Sequence, residues 1–158
     1  MSLLAVDQPS PLLSPPPTVP TVAMLPTSHQ TFLAFDFGQR RTGVASGNIL
    51  TRSATPQPTV VVPVKASAQT RLAAVGQCIT TWKPDALVVG VPCHPDGAPH
   101  DNTLLAQKFA RQLRATFRLP VFEVDERYST TEALAAGAKD ADAASACIIL
   151  EQFLRSLP

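Results

Sequence analysis

Apolar residues along this chain fall into two kinds of spacing, which alternate from about residue 31 onward. Thr31-Phe32-Leu33-Ala34-Phe35 is a nearly unbroken apolar run ending at Asp36-Phe37-Gly38, and it reads as a buried strand over 31–37. Arg41 to Ser46 reads as its hairpin partner across a turn on Gly38-Gln39-Arg40. Thr51 to Pro58, polar with two prolines, reads as a loop, and Thr59-Val60-Val61-Val62 as a short third strand closed by Pro63. Leu72, Val75, Ile79 and Trp82 fall at helical spacing between Ser67 and Lys83, and Lys83-Pro84-Asp85 stops that helix. Ala86 to Val91 is apolar throughout, as expected of a central strand covered on both faces. Beyond a loop containing His94 and His100, Asn102 can cap a helix running to about Arg118, with Leu105, Phe109, Leu113 and Phe117 as its buried stripe. Pro120 starts a fifth strand over Val121 to Val124, a short helical piece follows at 131–136, and the final helix opens at Asp142.

Three strands followed by alternating helix and strand is not a doubly wound order. It predicts an α/β domain of the RNase H-like kind, a mixed five-stranded sheet (three antiparallel strands, then alternating α/β) flanked by helices.

A length of 158 residues fits one domain. Residues 1–30 hold seven prolines and a single charge, Asp7, and such a Pro-rich tract is expected to be a disordered leader. It lacks the basic n-region of a signal peptide, and Met24 is an alternative start. The domain then spans 31–158. No apolar run reaches the length of a membrane span. Cys78, Cys93 and Cys147 are scattered, without paired ligand spacing, which argues for a reducing compartment and against a zinc site or disulfide frame. A net charge of +1 neither demands nor excludes nucleic acid, because local patches decide that.

The candidate chemistry rests on carboxylates. Asp36 ends the first strand; Asp125 and Glu126 end the fifth and lead into Arg127; Asp142 heads the last helix. Such positions converge on the carboxyl edge of a sheet, where open α/β folds hold their ligands. Clustered acids repel unless a cation lies between them, and hard oxygens suit Mg²⁺ or Mn²⁺. That pattern points to two-metal phosphodiester chemistry at Asp36, Glu126 and Asp142 as catalytic and metal-holding acids, with Asp125 and Arg127 in support. Each acid also has a plainer reading: Asp36 as a turn former, Ser129 and Thr130 as caps for the next helix, Asp142 as a partner of the helix dipole. Helical geometry puts Asp142 on one stripe with Ala146, Ile149 and Phe153, and turns Asp140 to nearly the opposite side, where capping is its expected job. Arg40 and Arg41 sit next to Asp36 and are candidate phosphate contacts. Lys108 and Arg111, with Arg114 and Arg118, form either a backbone-binding stripe for nucleic acid or a solvated face.

At these residues the chain resembles the YqgF-type family of pre-16S rRNA nucleases, also described as Holliday junction resolvases. The matching stretches are Leu33 to Ala45, Leu87 to Pro92 with Asp96-Gly97, Val124 to Thr130, and Lys139 to Leu150. The resemblance implies a cytoplasmic, RNase H-like nuclease that uses Mg²⁺ or Mn²⁺ and acts on RNA, namely pre-16S rRNA within pre-ribosomal particles, in 5′-end maturation. Asp36 matches the family's first acid, Glu126 with Asp125 the acid of its DER motif, and Asp142 the acid opening its last helix. Gly90-Val91-Pro92 carries no acid, whereas RuvC-type junction resolvases have a glutamate on this strand. The resemblance therefore leaves cleavage of branched four-way DNA as the alternative. A non-catalytic ribosome-assembly factor on the same fold is a second alternative. The actin and sugar-kinase folds share a similar first hairpin but need a second, similar domain, and this chain shows no internal repeat.

If the leader packs on nothing, deleting residues 1–23 leaves the thermal midpoint of the domain unchanged. Differential scanning calorimetry of the two forms checks this, and a fall of more than a few degrees would show the leader to be part of the core.

Overall fold

Strand alternation sorts this molecule's core into two layers, one on each face of a single sheet. The computed structural model describes residues 31–92, 101–125 and 140–157. Its elements are β1 (Thr31–Asp36), β2 (Arg41–Asn48), β3 (Ala54–Val61), α1 (Ala68–Trp82), β4 (Ala86–Val91), α2 (Asp101–Phe117), β5 (Val121–Asp125) and α3 (Ala141–Arg155). The sheet order is β3-β2-β1-β4-β5. β1 to β3 pair antiparallel as consecutive strands, while β4 lies parallel to β1 and β5 parallel to β4.

Successive strand residues point to opposite faces. Phe32 and Ala34 of β1, Ala86 and Val88 of β4 and Phe122 of β5 face α3, where Ala146, Ile149, Leu150, Phe153 and Leu154 close over them. The Phe153 ring meets Phe32 edge-on at 5.3 Å and Phe122 at 4.9 Å. Leu33, Phe35, Leu87, Val89 and Val121 face the other way, onto Val75 of α1 and Phe109, Ala110 and Leu113 of α2. Burying one such large side chain is stabilising by about 1.5–3 kcal/mol, so one helix suffices for the first face while two share the second.

The helix ends are built from local chemistry. Ser67 caps α1 by accepting from the Thr70 amide at 3.1 Å, and Lys83 closes it in the left-handed region (φ 48), its amide bonding the Ile79 carbonyl at 2.8 Å. Asp140 caps α3 through the amides of Asp142 and Ala143.

The strand order and five-stranded mixed sheet agree with the expectation from sequence. Two local readings do not. The stretch from Ala54 to Pro58 is strand, not loop: β3 is an edge strand, where a proline's missing N–H costs the ladder nothing. Trp82, counted into the α1 stripe, is 40% exposed at the helix's last residue. The leader of residues 1–30, the loop with Cys93, His94 and His100, and the helical piece at 131–136 lie outside the described residues. No helix among the described residues is long and apolar enough to cross a membrane.

One contact fixes how α3 meets the sheet. A β-carbon added to Gly43 of β2 would stand 1.9 Å from the Asp142 carbonyl oxygen, so backbone lies on backbone there. The β2–β3 register also slips at this point, from Thr42 opposite Val60 to Val44 opposite Gln57, leaving two β3 residues against Gly43. Gly43→Ala is expected to push α3 outward and cost about 1–3 kcal/mol, read as a lower urea midpoint with little change in slope.

Candidate functional site

Asp36 has the parity of Phe32 and Ala34, so it belongs to the face covered by α3. Its antiparallel partner in the register is Gly43, and its parallel partner is Gly90 of β4. Because Gly43 touches the backbone of Asp142, the first turn of α3 stands beside the end of β1. Two acids separated by about a hundred residues of chain are thus carried to the same end of the sheet, on one face. Neither neighbour of Asp36 in the register carries a side chain, and both half-exposed acids lie where a ligand can approach the backbone.

Cations already organise this corner. The Asp142 Oδ2 accepts from the Arg41 Nε at 2.6 Å. Asp140 accepts from the Thr59 hydroxyl at 2.7 Å, from the amides of Asp142 and Ala143 at 3.0 and 3.2 Å, and more distantly from the Arg41 Nη2 at 3.4 Å. The Thr59 hydroxyl above all, then the two amides and Arg41, hold the Asp140 carboxyl below the ordinary carboxylate range against a smaller opposing effect of burial. The Asp142 hydrogen bond and charge push the Arg41 guanidinium up, so it stays protonated.

The remaining sequence candidates divide. Asp125 is exposed and shares the parity of Glu123, which bonds Arg114 of α2, so it belongs to the face opposite Asp36. Glu126 and Arg127 lie outside the described residues. Among the described residues no group of three His, Cys, Asp or Glu side chains could hold a metal ion. The donors that Asp36 and Asp142 offer are hard carboxylate oxygens, which suit Mg²⁺ or Mn²⁺ better than softer metals. Arg40 lines a pocket on the α1–α2 face, whereas Arg41 is engaged with Asp142 and Asp140 on the other. Lys108 and Arg111 are exposed on α2. Arg114 departs from the expected basic stripe: it is buried, bonding the Val121 carbonyl at 3.0 Å and Glu123 at 2.9 Å. Burial raises the thiol pKa of Cys78, and that of Cys147 to about 11, so both are inert at neutral pH.

Sequence reasoning passed over Thr59 and Gly43. The signal for Gly43 was present, since a glycine inside a strand marks a bulge or a close backbone approach. Nothing local marked Thr59, whose contact with Asp140 depends on the slipped register.

The model of the family described as "RuvX: Holliday junction resolvase" matches residues 30–156. The chain belongs to this family. A Polaromonas sp. (strain JS666) protein named "Putative pre-16S rRNA nuclease" is 72% identical over 129 residues, covering 82% of this chain and 91% of that one. An Albidiferax ferrireducens protein of the same name is 62% identical over 128 residues, covering 81% and 80%. Among solved structures, T. thermophilus RuvC in complex with a Holliday junction substrate superposes with a TM-score of 0.50 at 17% identity, over 80% of this chain and 94% of that one. At that identity the likeness shows the RNase H-like fold of this RuvX-family member and nothing finer.

The depressed Asp140 carboxyl gives a pH signature. A group whose folded pKa lies below its unfolded value near 3.9 contributes stability above that value, and loses it as pH falls through the folded pKa. Asp140→Ala is expected to cost ~1 kcal/mol at pH 7. Denaturant titrations down to pH 2 should show the gap to wild type narrowing below about pH 4; a gap constant with pH would mean the carboxylate charge contributes nothing.

Proposed function

We propose that this RuvX-family chain is a metal-dependent nuclease that cleaves phosphodiester bonds in structured RNA, with the 5′ end of pre-16S rRNA as its substrate and the cytoplasm as its compartment. The observation that carries the reading is the approach of Asp142 to Gly43, opposite Asp36 in the β1–β2 register. Backbone packing at Gly43 brings the first turn of the last helix to the face and sheet end that Asp36 occupies, and acids gathered at a sheet's carboxyl edge suit a hard divalent cation. The names of the relatives give the substrate, and the RNase H-like fold is compatible with it.

Asp36, Asp142 and Glu126 are the residues proposed to hold Mg²⁺ or Mn²⁺. Asp125, turned to the other face, leaves Glu126 as the fitting acid of its pair. A bound divalent ion supplies a Lewis acid at the scissile phosphate and lowers the pKa of an attacking water. The chain's own groups do the positioning. Arg41 orients the Asp142 carboxylate, Asp140 fixes the helix turn that carries it, and Arg40, Lys108, Arg111 and Arg127 would bind backbone phosphates without reading sequence. The description of the family model favours a second reading, cleavage of four-way DNA junctions. The chemistry is the same and only the substrate's shape differs.

A cleavage assay comparing a pre-rRNA 5′-leader substrate with a four-way DNA junction, in Mg²⁺, Mn²⁺ or EDTA, tests both. Cutting of the RNA that EDTA abolishes is expected. Asp36→Asn and Asp142→Asn should each lower turnover on the order of 100-fold or more, the loss of several kcal/mol of transition-state stabilisation, while retaining the thermal midpoint and substrate binding. Wild-type turnover in Asp36→Asn would sink the reading at its centre.

A further inference from the structure

On the face of the sheet opposite the two acids, Arg40 and Lys108, already proposed as phosphate contacts, belong to one pocket with residues not yet assigned a role. Phe37, directly after Asp36, turns to the α1–α2 side by strand alternation and forms the wall of a pocket of about 350 Å³. Four cationic residues line it: Arg40 from the β1–β2 turn, Lys65 from the segment before α1, Arg71 from α1 and Lys108 from α2. Among the described residues, no carboxylate lines it. Ala66 and Ala68 bring in the N-terminal end of the 15-residue helix α1, whose first turn carries no acid, so the positive end of its dipole is not neutralised. The volume lies near the lower end of ligand pockets, roughly 300–1,000 Å³, and fits a single small anionic group.

Arg71 gives the pocket its shape. Its guanidinium stacks 5.0 Å from the centroid of the Phe37 ring, which itself rests on Phe109 at 5.0 Å. One Nη donates to the Gln39 carbonyl at 2.6 Å, and the buried Nε has no hydrogen-bond partner among the described residues. The planar fork is therefore fixed before any ligand arrives. A fixed guanidinium among three further cations matches a phosphodiester in charge.

We propose that this pocket anchors a backbone phosphate of the single strand leading to or from the cleavage site. The idea rests on the nuclease reading and extends it. The strand crosses the carboxyl edge at Asp36, with its scissile phosphate on the α3 side and a flanking phosphate held among Arg40, Lys65, Arg71 and Lys108. Such a contact is sequence-independent and strongly salt-dependent.

The test uses the full chain and avoids Arg71, whose removal would disturb Phe37. Lys65→Asn (asparagine tolerates the left-handed backbone of Lys65, φ 66) is combined with Lys108→Gln. Binding of a single-stranded RNA oligonucleotide from a pre-16S leader is measured by anisotropy across a salt series, with inorganic phosphate as a second ligand. The double variant is expected to bind RNA about tenfold more weakly, with a log K against log salt slope shallower by roughly 1.4, two contacts at about 0.7 each. A control pair distant from the pocket, Lys83→Asn with Arg155→Gln, removes the same charge and should change both readouts much less. Unchanged affinity and slope in the pocket variant, or equal losses in the control, overturn the proposal. Inorganic phosphate that binds the wild type, is lost in the pocket variant and does not compete with RNA would also overturn it, by making this a free-anion site. Cleavage by the wild type, with Asp36→Asn as the blank, separates the two claims: a wild type that binds RNA through the pocket but cuts no better than Asp36→Asn would leave the anchor standing and remove the nuclease reading.

Discussion

Backbone rests on backbone where β2 passes under the first turn of α3, and no side chain larger than hydrogen fits between them. This steric demand at Gly43 sets the height of α3 over the sheet, and with it the reach of Asp142 toward β1. The slipped β2–β3 register supports the same point from the side, bringing the Thr59 hydroxyl to Asp140, whose other oxygen caps the helix. Packing of Ile149, Leu150 and Phe153 then supplies the adhesion, but those contacts alone would let the helix slide along its axis. The glycine and the cap fix that coordinate.

The same corner shows how a fold tolerates acids close together. Arg41 spans Asp142 and Asp140, and it stays charged at any pH where the domain is folded. Its exposed position makes the pair worth little as stability. Its effect is one of orientation, since a forked, permanently charged group restricts the carboxylate to few rotamers. Arg40, one residue earlier, points to the opposite face, so consecutive arginines serve different sides of one sheet.

Much of the architecture was legible because the central strands are covered on both faces. Phe32 to Phe35 and Ala86 to Val91 read as strands without any periodicity argument, and the helical stripes of α2 and α3 followed from spacing. The edge was legible only in its second half: Thr59 to Val61 read as strand, whereas Pro56 and Pro58 make Ala54 to Pro58 look like loop. Capping by Asp140 was legible because caps are local. Its expected turn to the side opposite Asp142 was wrong: the helix opens at Ala141, so helical spacing does not extend to Asp140, and Arg41 bonds both acids. Arg114 could not be removed from the basic stripe, because its partner Glu123 comes from a strand whose register is a tertiary fact. Thr59 escaped for the same reason, and so did the pairing of Arg41, named only as a phosphate contact, with Asp142 and Asp140.

The prolines of β3 reach beyond their own strand. The run from Thr59 to Val62 is short, β-branched and uncharged, and Val61 is 58% exposed at the rim of the sheet. Left bare, such a rim invites another molecule to add a strand and begin a fibre. Pro56 and Pro58, both exposed, interrupt the row of donors that an incoming strand would need. The first half of the edge is thereby made a poor template for intermolecular pairing.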